Sequence, residues 1–336
     1  MKHSTIPSIG LAVLTGASLV SPARATTTID TFGTEGNAFT MNFVDIDNPG
    51  NVNDIHGVGY GGVANAFRMS TYEVSRDMIT KANTAGSLGI TLNDLTSYGG
   101  NGANRPATGT SWNEAARFVN WLNVSSGSVA AYRFTTSGVN DNIVLWDATS
   151  AGSGYNAANP FRNSNAKYFL PSENEWYKAA YYDPNKPGGA GYWNYATGSD
   201  TAPNPVASGT ASGTAVYGGQ TGPANITSAG GLSPYGTMGQ DGNVWELMET
   251  NLSGTNDVSS SLRGRRGGSW SSSDYPTVAY LNSSFRLDYS PSSEGTAMGF
   301  RVASSFSAIP EPTSLLSTLA LVSSGLLLRR RTKALR

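Results

Sequence analysis

The side chains that can do chemistry in this chain are carboxylates and hydroxyls, because stronger reagents are missing from its 336 residues. It has no cysteine and two histidines, His3 near the start and His56 in a glycine-rich stretch. A thiolate nucleophile, a multi-histidine metal centre and a soft copper or zinc site are thereby excluded. A Ser-His-Asp triad would have to recruit His56, which lies in no nucleophile-elbow motif. Glu73, Glu114, Glu173, Glu175, Glu246 and Asp288 remain for paired-carboxylate work, although most of them stand where a helix cap or a scaffold contact explains them. Asp45-Ile46-Asp47-Asn48-Pro49-Gly50 has the outline of a calcium loop, but Pro49 replaces an oxygen ligand, so a turn is expected.

The elements that must position these groups announce themselves locally. Phe39-Thr40-Met41-Asn42-Phe43-Val44 suits one arm of a β-hairpin, and Phe67 to Ser75 alternates like a strand before a helical stretch from Arg76 to about Ala85. Ser111-Trp112-Asn113-Glu114 and Ser172-Glu173-Asn174-Glu175 are capping boxes, in which the serine oxygen accepts from a free backbone N–H and the glutamate reaches back. The first helix turns Trp112, Ala115, Val119 and Leu122 to one face, and the second turns Trp176, Ala179 and Ala180 inward. Ser125 to Asn165 and Asp183 to Ser233 read as long irregular segments, unusual for one compact domain.

Three dense motifs crowd the stretch from Tyr235 to Val302: Gly242-Asn243-Val244-Trp245-Glu246, Gly267-Gly268-Ser269-Trp270 and Gly299-Phe300-Arg301-Val302. With Glu73-Val74-Ser75, Ser111-Trp112-Asn113-Glu114-Ala115 and Leu170-Pro171-Ser172-Glu173-Asn174-Glu175-Trp176, they resemble the formylglycine-generating sulfatase-modifying factor family over about Phe67 to Ser304. The resemblance implies an α+β fold related to C-type lectins, with little regular structure and long ordered loops. Family enzymes oxidise a substrate cysteine with copper held by two cysteines after the Gly-Gly-Ser motif. Here those positions are Ser272 and Thr277, hard hydroxyls that hold copper(I) poorly, so this chemistry is not expected. The family's thiohistidine branch holds iron with histidines on a separate helical domain that is absent here. The family's structural calcium implies a site with Glu246 as carboxylate, carbonyls from Gly242 and Val244, and Asp241 in place of the ligand that Gly239 cannot supply. Asn225, with the Val216 carbonyl, is the candidate for a second calcium. Arg286 and Arg301 are expected to pair with buried carboxylates, Trp245 and Trp270 to be core, and Tyr275, Tyr280 and Tyr289 to line what is left of the groove.

Composition and the two ends address the chain to the outside of a cell. Charged residues are 13% and the net charge is −1, which gives no electrostatic footprint for nucleic acid. Lys2, an apolar run from Ile6 to Val20 and Ala23-Arg24-Ala25 read as a secretory signal over residues 1–25. A β-rich part over 26–66 then leads into the family-like region 67–304. In the last segment, 305–336, Pro310-Glu311-Pro312, an apolar run over 313–328 and Arg329-Arg330-Arg331 closely resemble the PEP-CTERM sorting signal of Gram-negative bacteria. That likeness implies processing by an exosortase, transient membrane insertion and a cell-envelope or extracellular destination. As a helix the run would be about 24 Å long, short of a hydrocarbon core. The sum is an exported, non-catalytic module for glycan or protein ligands such as exopolysaccharide or a surface protein. A carboxylate enzyme and a purely structural envelope component are the alternatives.

Overall fold

The computed structural model describes residues 26–55, 59–253, 255–272 and 277–306. The expected leader, His56, Tyr275 and residues 307–336 of the expected sorting signal lie outside the described residues. Among the described residues no helix is long and apolar enough to cross a membrane.

Strands β1 (Thr27–Phe32) and β2 (Phe39–Ile46) form the expected hairpin, with Phe32 opposite Phe39 and the alternate residues Phe39, Met41 and Phe43 buried. β3 (Phe67–Ser70) pairs antiparallel with β2. It ends sooner than the alternation of residues suggests, because the chain bends after Ser70, whose Oγ donates to the Tyr72 carbonyl at 2.8 Å. Ser75 then caps α1 (Arg76–Gly86) by accepting from Met78 N. α2 (Trp112–Ser125) carries the complete Ser111–Glu114 capping box and buries Trp112, Ala115, Phe118, Val119 and Leu122. A short α3 (Ala148–Ala151) and β4 (Tyr168–Phe169) lead to α4 (Glu173–Tyr181), which starts at the second capping box, Ser172–Glu175.

Two-residue strands β5 (Tyr182–Asp183), β6 (Gly191–Tyr192), β7 (Asn204–Pro205) and β8 (Thr214–Ala215) interrupt the long loop. The C-terminal third supplies β9 (Trp245–Asn251), β10 (Arg263–Arg266), β11 (Leu287–Tyr289), β12 (Met298–Gly299) and β13 (Ala303–Ser305). One sheet runs β1-β2-β3-β13-β4, and a second runs β11-β10-β9-β12. α2 lies on β4, and α4 packs on β9, so the two capped helices tie the sheets to one apolar core that includes Phe43, Met69, Phe118, Trp176 and Phe300.

Loops this long leave many backbone groups without a ladder, and asparagine side chains take the place of one. Asn123 Nδ2 donates to Tyr168 O at 2.7 Å while its Oδ1 accepts from Tyr168 N at 2.9 Å. Asn120 makes the same double pairing with Tyr132, and Asn83 with Ile90. Asp45 and Ile46 end β2, and the chain turns after them at Pro49 and Gly50; Asp47 O accepts from the Tyr235 hydroxyl at 2.9 Å and Asn48 O from Lys178 Nζ at 2.8 Å.

Candidate functional site

The three C-terminal motifs meet at one junction because each offers backbone groups that the others need. Gly242 N donates to Gly267 O at 2.6 Å, Asn243 N to Val216 O at 2.7 Å, and Trp270 N to Asn243 O at 2.8 Å. Gly242 has φ +88°, and a Cβ there would stand 2.3 Å from the Val216 carbonyl oxygen, so only glycine allows this approach. Asn243 also has positive φ, at 54°, a conformation asparagine tolerates better than most residues. Its side chain secures the turn twice: Oδ1 accepts from Ala224 N at 2.8 Å and Nδ2 donates to Glu73 Oε2 at 2.5 Å.

Below this turn lies a fully buried acid pair with one guanidinium. Arg301 Nε and Nη2 each donate to an oxygen of Glu246 at 2.6 Å, and Trp176 Nε1 donates to Glu246 Oε2 at 2.6 Å. The same guanidinium reaches the carbonyls of Ser70 and Met238, so one side chain clamps β3 and the Gly239 loop to β9. Glu73 is the second acid. Burial and the neighbouring Glu246 charge hold its carboxyl well above the usual carboxylate range, against the pull of Arg301, Asn243 and the Val244 N–H. Its Oε1 has no hydrogen-bond partner. A Cβ on Gly239 would lie 3.1 Å from the Glu73 carboxyl carbon, so the glycine that breaks the family's calcium pattern is the residue that makes room for Glu73.

The calcium set expected from the sequence is not assembled by this geometry. Glu246 has both oxygens committed to Arg301 and Trp176, and a dication there would sit against the guanidinium. Asp241 faces a different loop, with Oδ2 accepting from Thr197 N at 3.1 Å. Burial pushes its carboxyl up to about 8, against the N–H groups of Thr197 and Ala196, and its Oδ1 is unpartnered. The Val216 carbonyl is taken by Asn243 N, and Asn225 is exposed beside a cavity of about 250 Å³, its carbonyl accepting from Ser228 N. Gly242 and Val244 stay in the turn, but no carboxylate with free oxygens stands with them, and the described residues contain no group of three or more acid or histidine ligands placed for a metal. These donors do not fit calcium as they stand.

Ser272 is buried, and its Oγ accepts from Ser269 N at 3.2 Å and lies 3.2 Å from Ser269 Oγ, closing the turn after Gly-Gly-Ser. Thr277 opens a 3-10 segment, Thr277–Leu281, and its side chain is outside the described residues. Of the tyrosines expected to line a groove, Tyr280 and Tyr289 are engaged by neighbouring protein groups. Tyr280 sits against Trp245 and Phe285, with centroids at 5.6 and 4.8 Å. Tyr289 donates to Glu294 O at 2.9 Å under the Arg265 guanidinium. Trp245 and Trp270 are buried, and Arg286 pairs with Glu173 at 2.6 Å, as expected for scaffold residues.

A second buried polar knot had no sequence signal. Glu249 accepts from the Tyr132 hydroxyl at 2.7 Å and faces Arg162 Nε at 3.5 Å, and burial raises its carboxyl above the usual range. Nearby, Arg263 lies between the rings of Trp112 and Phe161 at 4.4 and 4.1 Å. Burial lowers that guanidinium to about 10. Tyr132 and Glu249 are 117 residues apart. No local pattern links them.

The sequence model of the sulfatase-modifying factor enzyme 1-like domain matches residues 28–306. No curated protein matches the chain by sequence. Among solved structures, the Treponema denticola variable protein 1 is similar with a TM-score of 0.54 and 19% identity, over 83% of this chain and 99% of that one. PvdO from Pseudomonas aeruginosa aligns with a TM-score of 0.51 and 16% identity, over 82% and 98%. CarF gives 0.51 and 19%, over 79% and 98%. At these identities the likeness carries the fold.

Proposed function

The chain belongs to the family of sulfatase-modifying factor enzyme 1-like domains, and from that premise we propose that it is an exported, non-catalytic binding module. The observation that carries the reading is Ser272. At the position of a copper thiolate stands a hydroxyl already tied into the Ser269 turn, in a chain without cysteine. Such a hydroxyl is a poor partner for copper(I). The intact protein, given copper(I) and a cysteine peptide of the sulfatase type, is expected to yield no aldehyde-reactive product. Robust aldehyde formation overturns the reading. The ligands in view are glycan or surface protein at the cell envelope, reached through secretion machinery and exosortase processing near Pro310 to Pro312. An intact C-terminus at Arg336 on surface protein would overturn the processing step.

The unpartnered Oε1 of Glu73 favours a second reading, an enzyme working by carboxyl acid–base chemistry. Glu73 lines a cavity of about 490 Å³ with Tyr72, Ser75, Met78 and Lys81. A hydrolytic activity of the intact protein toward oligosaccharides, lost in Glu73→Gln at unchanged melting temperature, would replace the binding reading with this one.

A further inference from the structure

A broad-mouthed cavity of about 600 Å³ lies over the outer side of α2 and the loop from Ala130 to Trp146, and none of its lining residues belongs to the family motifs. Its apolar wall is aromatic, built from Trp121, Phe134 and Trp146, each only partly buried, with Leu88 at one edge. Its charged lining is Arg117 and Arg133, without an aspartate or glutamate. The volume is that of a small-ligand site, and the open mouth suits a chain-like ligand held against one wall.

The polar atoms of the lining are largely committed, and this narrows what the cavity can take. Asn120 spends its amide on the Tyr132 backbone, Trp146 Nε1 donates to Ala131 O at 2.9 Å, and the Tyr132 hydroxyl is given to Glu249. Those bonds fix the Trp146 indole and leave its ring to make contact. An extended peptide would need a free strand edge, but Val144 N already donates to Arg133 O at 2.7 Å and Trp146 N to Pro160 O at 2.8 Å. Arg117 lies 3.9 Å over the Phe134 ring and donates to the carbonyls of Val139 and Gly138, with Asp141 the acid that acts on it from the same loop. Arg133 meets Asp147 at 3.2 Å, but that carboxylate is 60% exposed and screens it weakly.

We infer that this cavity binds an anionic sugar unit, its apolar ring face against the Trp146 and Trp121 side and its carboxylate or sulfate on Arg117 and Arg133. Arg117 Nε and Nη2 and Arg133 Nη1 are spent on the protein, so Arg133 Nε and Nη2 with Arg117 Nη1 are the donors left for either anion, and an aromatic face accepts the C–H side of a sugar ring without hydrogen bonds. This goes beyond the binding-module reading, which assigns no ligand to this face.

Titration of the intact protein, followed by tryptophan fluorescence, tests it with four probes: an oligogalacturonate, a heparin hexasaccharide, a neutral cello-oligosaccharide and an oligoglutamate of matched charge. Saturable binding of at least one anionic sugar is expected, with the neutral cello-oligosaccharide and the oligoglutamate at least tenfold weaker. Which anionic sugar binds separates carboxylate from sulfate recognition. Arg117→Gln and Trp146→Ala should each weaken binding about tenfold or more at unchanged circular dichroism. Should either fail to fold, Ser137→Glu, an exposed position in the lining, must abolish binding on its own. Equal binding of oligoglutamate or of the neutral sugar, or no binding at all, overturns the proposal. Glycan binding that ignores all three substitutions keeps the module reading and overturns this site.

Discussion

The junction around Gly242, Asn243 and Glu246 and the cavity over α2 use similar side chains in opposite ways. At the junction Arg301 is fully buried and bonded to Glu246 and to backbone from two other segments. Over α2 Arg117 is partly exposed, and its described hydrogen bonds go to carbonyls of one loop. The sequence motifs crowd the first region and are missing from the second. The contrast teaches that the motifs mark where the chain crosses itself and must be held, while the open cavity lies where the sequence shows no pattern.

The sharpest way to break this comparison is to remove the clamp. Glu246→Ala strands the Arg301 charge in the core, and breaking such a buried pair costs about 3–5 kcal/mol. In a domain of this size the melting temperature should fall by roughly 6–20 °C in thermal unfolding followed by circular dichroism. Calcium should leave the native protein's melting temperature unchanged. A clear rise with calcium in metal-stripped protein that Glu246→Ala abolishes would restore the calcium reading of this carboxylate.

Asp241 sharpens the comparison through pH. Its carboxyl is pushed up to about 8 in the folded chain from an ordinary 3.8, so between these values the native state holds a proton that the unfolded state has lost. Stability therefore falls as pH rises through that window. Asp241→Asn removes the titration, and its advantage over the native protein should grow from about pH 4 to about pH 8, reaching a few kcal/mol by denaturant unfolding. A gap that does not change with pH would mean that the carboxyl is not kept neutral by burial.

The smallest effect is expected in the other region. Val124 lines the α2 cavity at 64% exposure, and Val124→Ser should change stability by less than about 0.5 kcal/mol. A loss comparable with that of Glu246→Ala would erase the distinction between the two regions.

Much of the scaffold was legible because its signals are local. Ser111 with Glu114 and Ser172 with Glu175 start the helices they specify, and the alternation in Phe39–Ile46 makes a half-buried strand. The alternation from Phe67 to Ser75 runs past the end of its strand, since nothing in it reveals the bend after Ser70. At the site, the pairing of Arg301 and Arg286 with acids followed from their type and context. The choice of partner is not legible: the oxygens of Glu246 go to Arg301, 55 residues away, and to Trp176, 70 residues away. The role of Gly239 appears only when Glu73, from a distant strand end, is seen filling its place.

The position of β13 governs when this protein can become itself. Residues 303–305 are inserted between β3 and β4, so the last described strand is an inner one of its sheet, flanked on both sides by segments made much earlier. A ribosome or a translocation pore must release nearly the whole domain before that sheet can close, because the pairings that complete it are among the most distant in the chain. The sheet therefore cannot close until β13 is available. Trimming downstream of Phe306 leaves that strand in place, whereas a cut a few residues earlier would take it away.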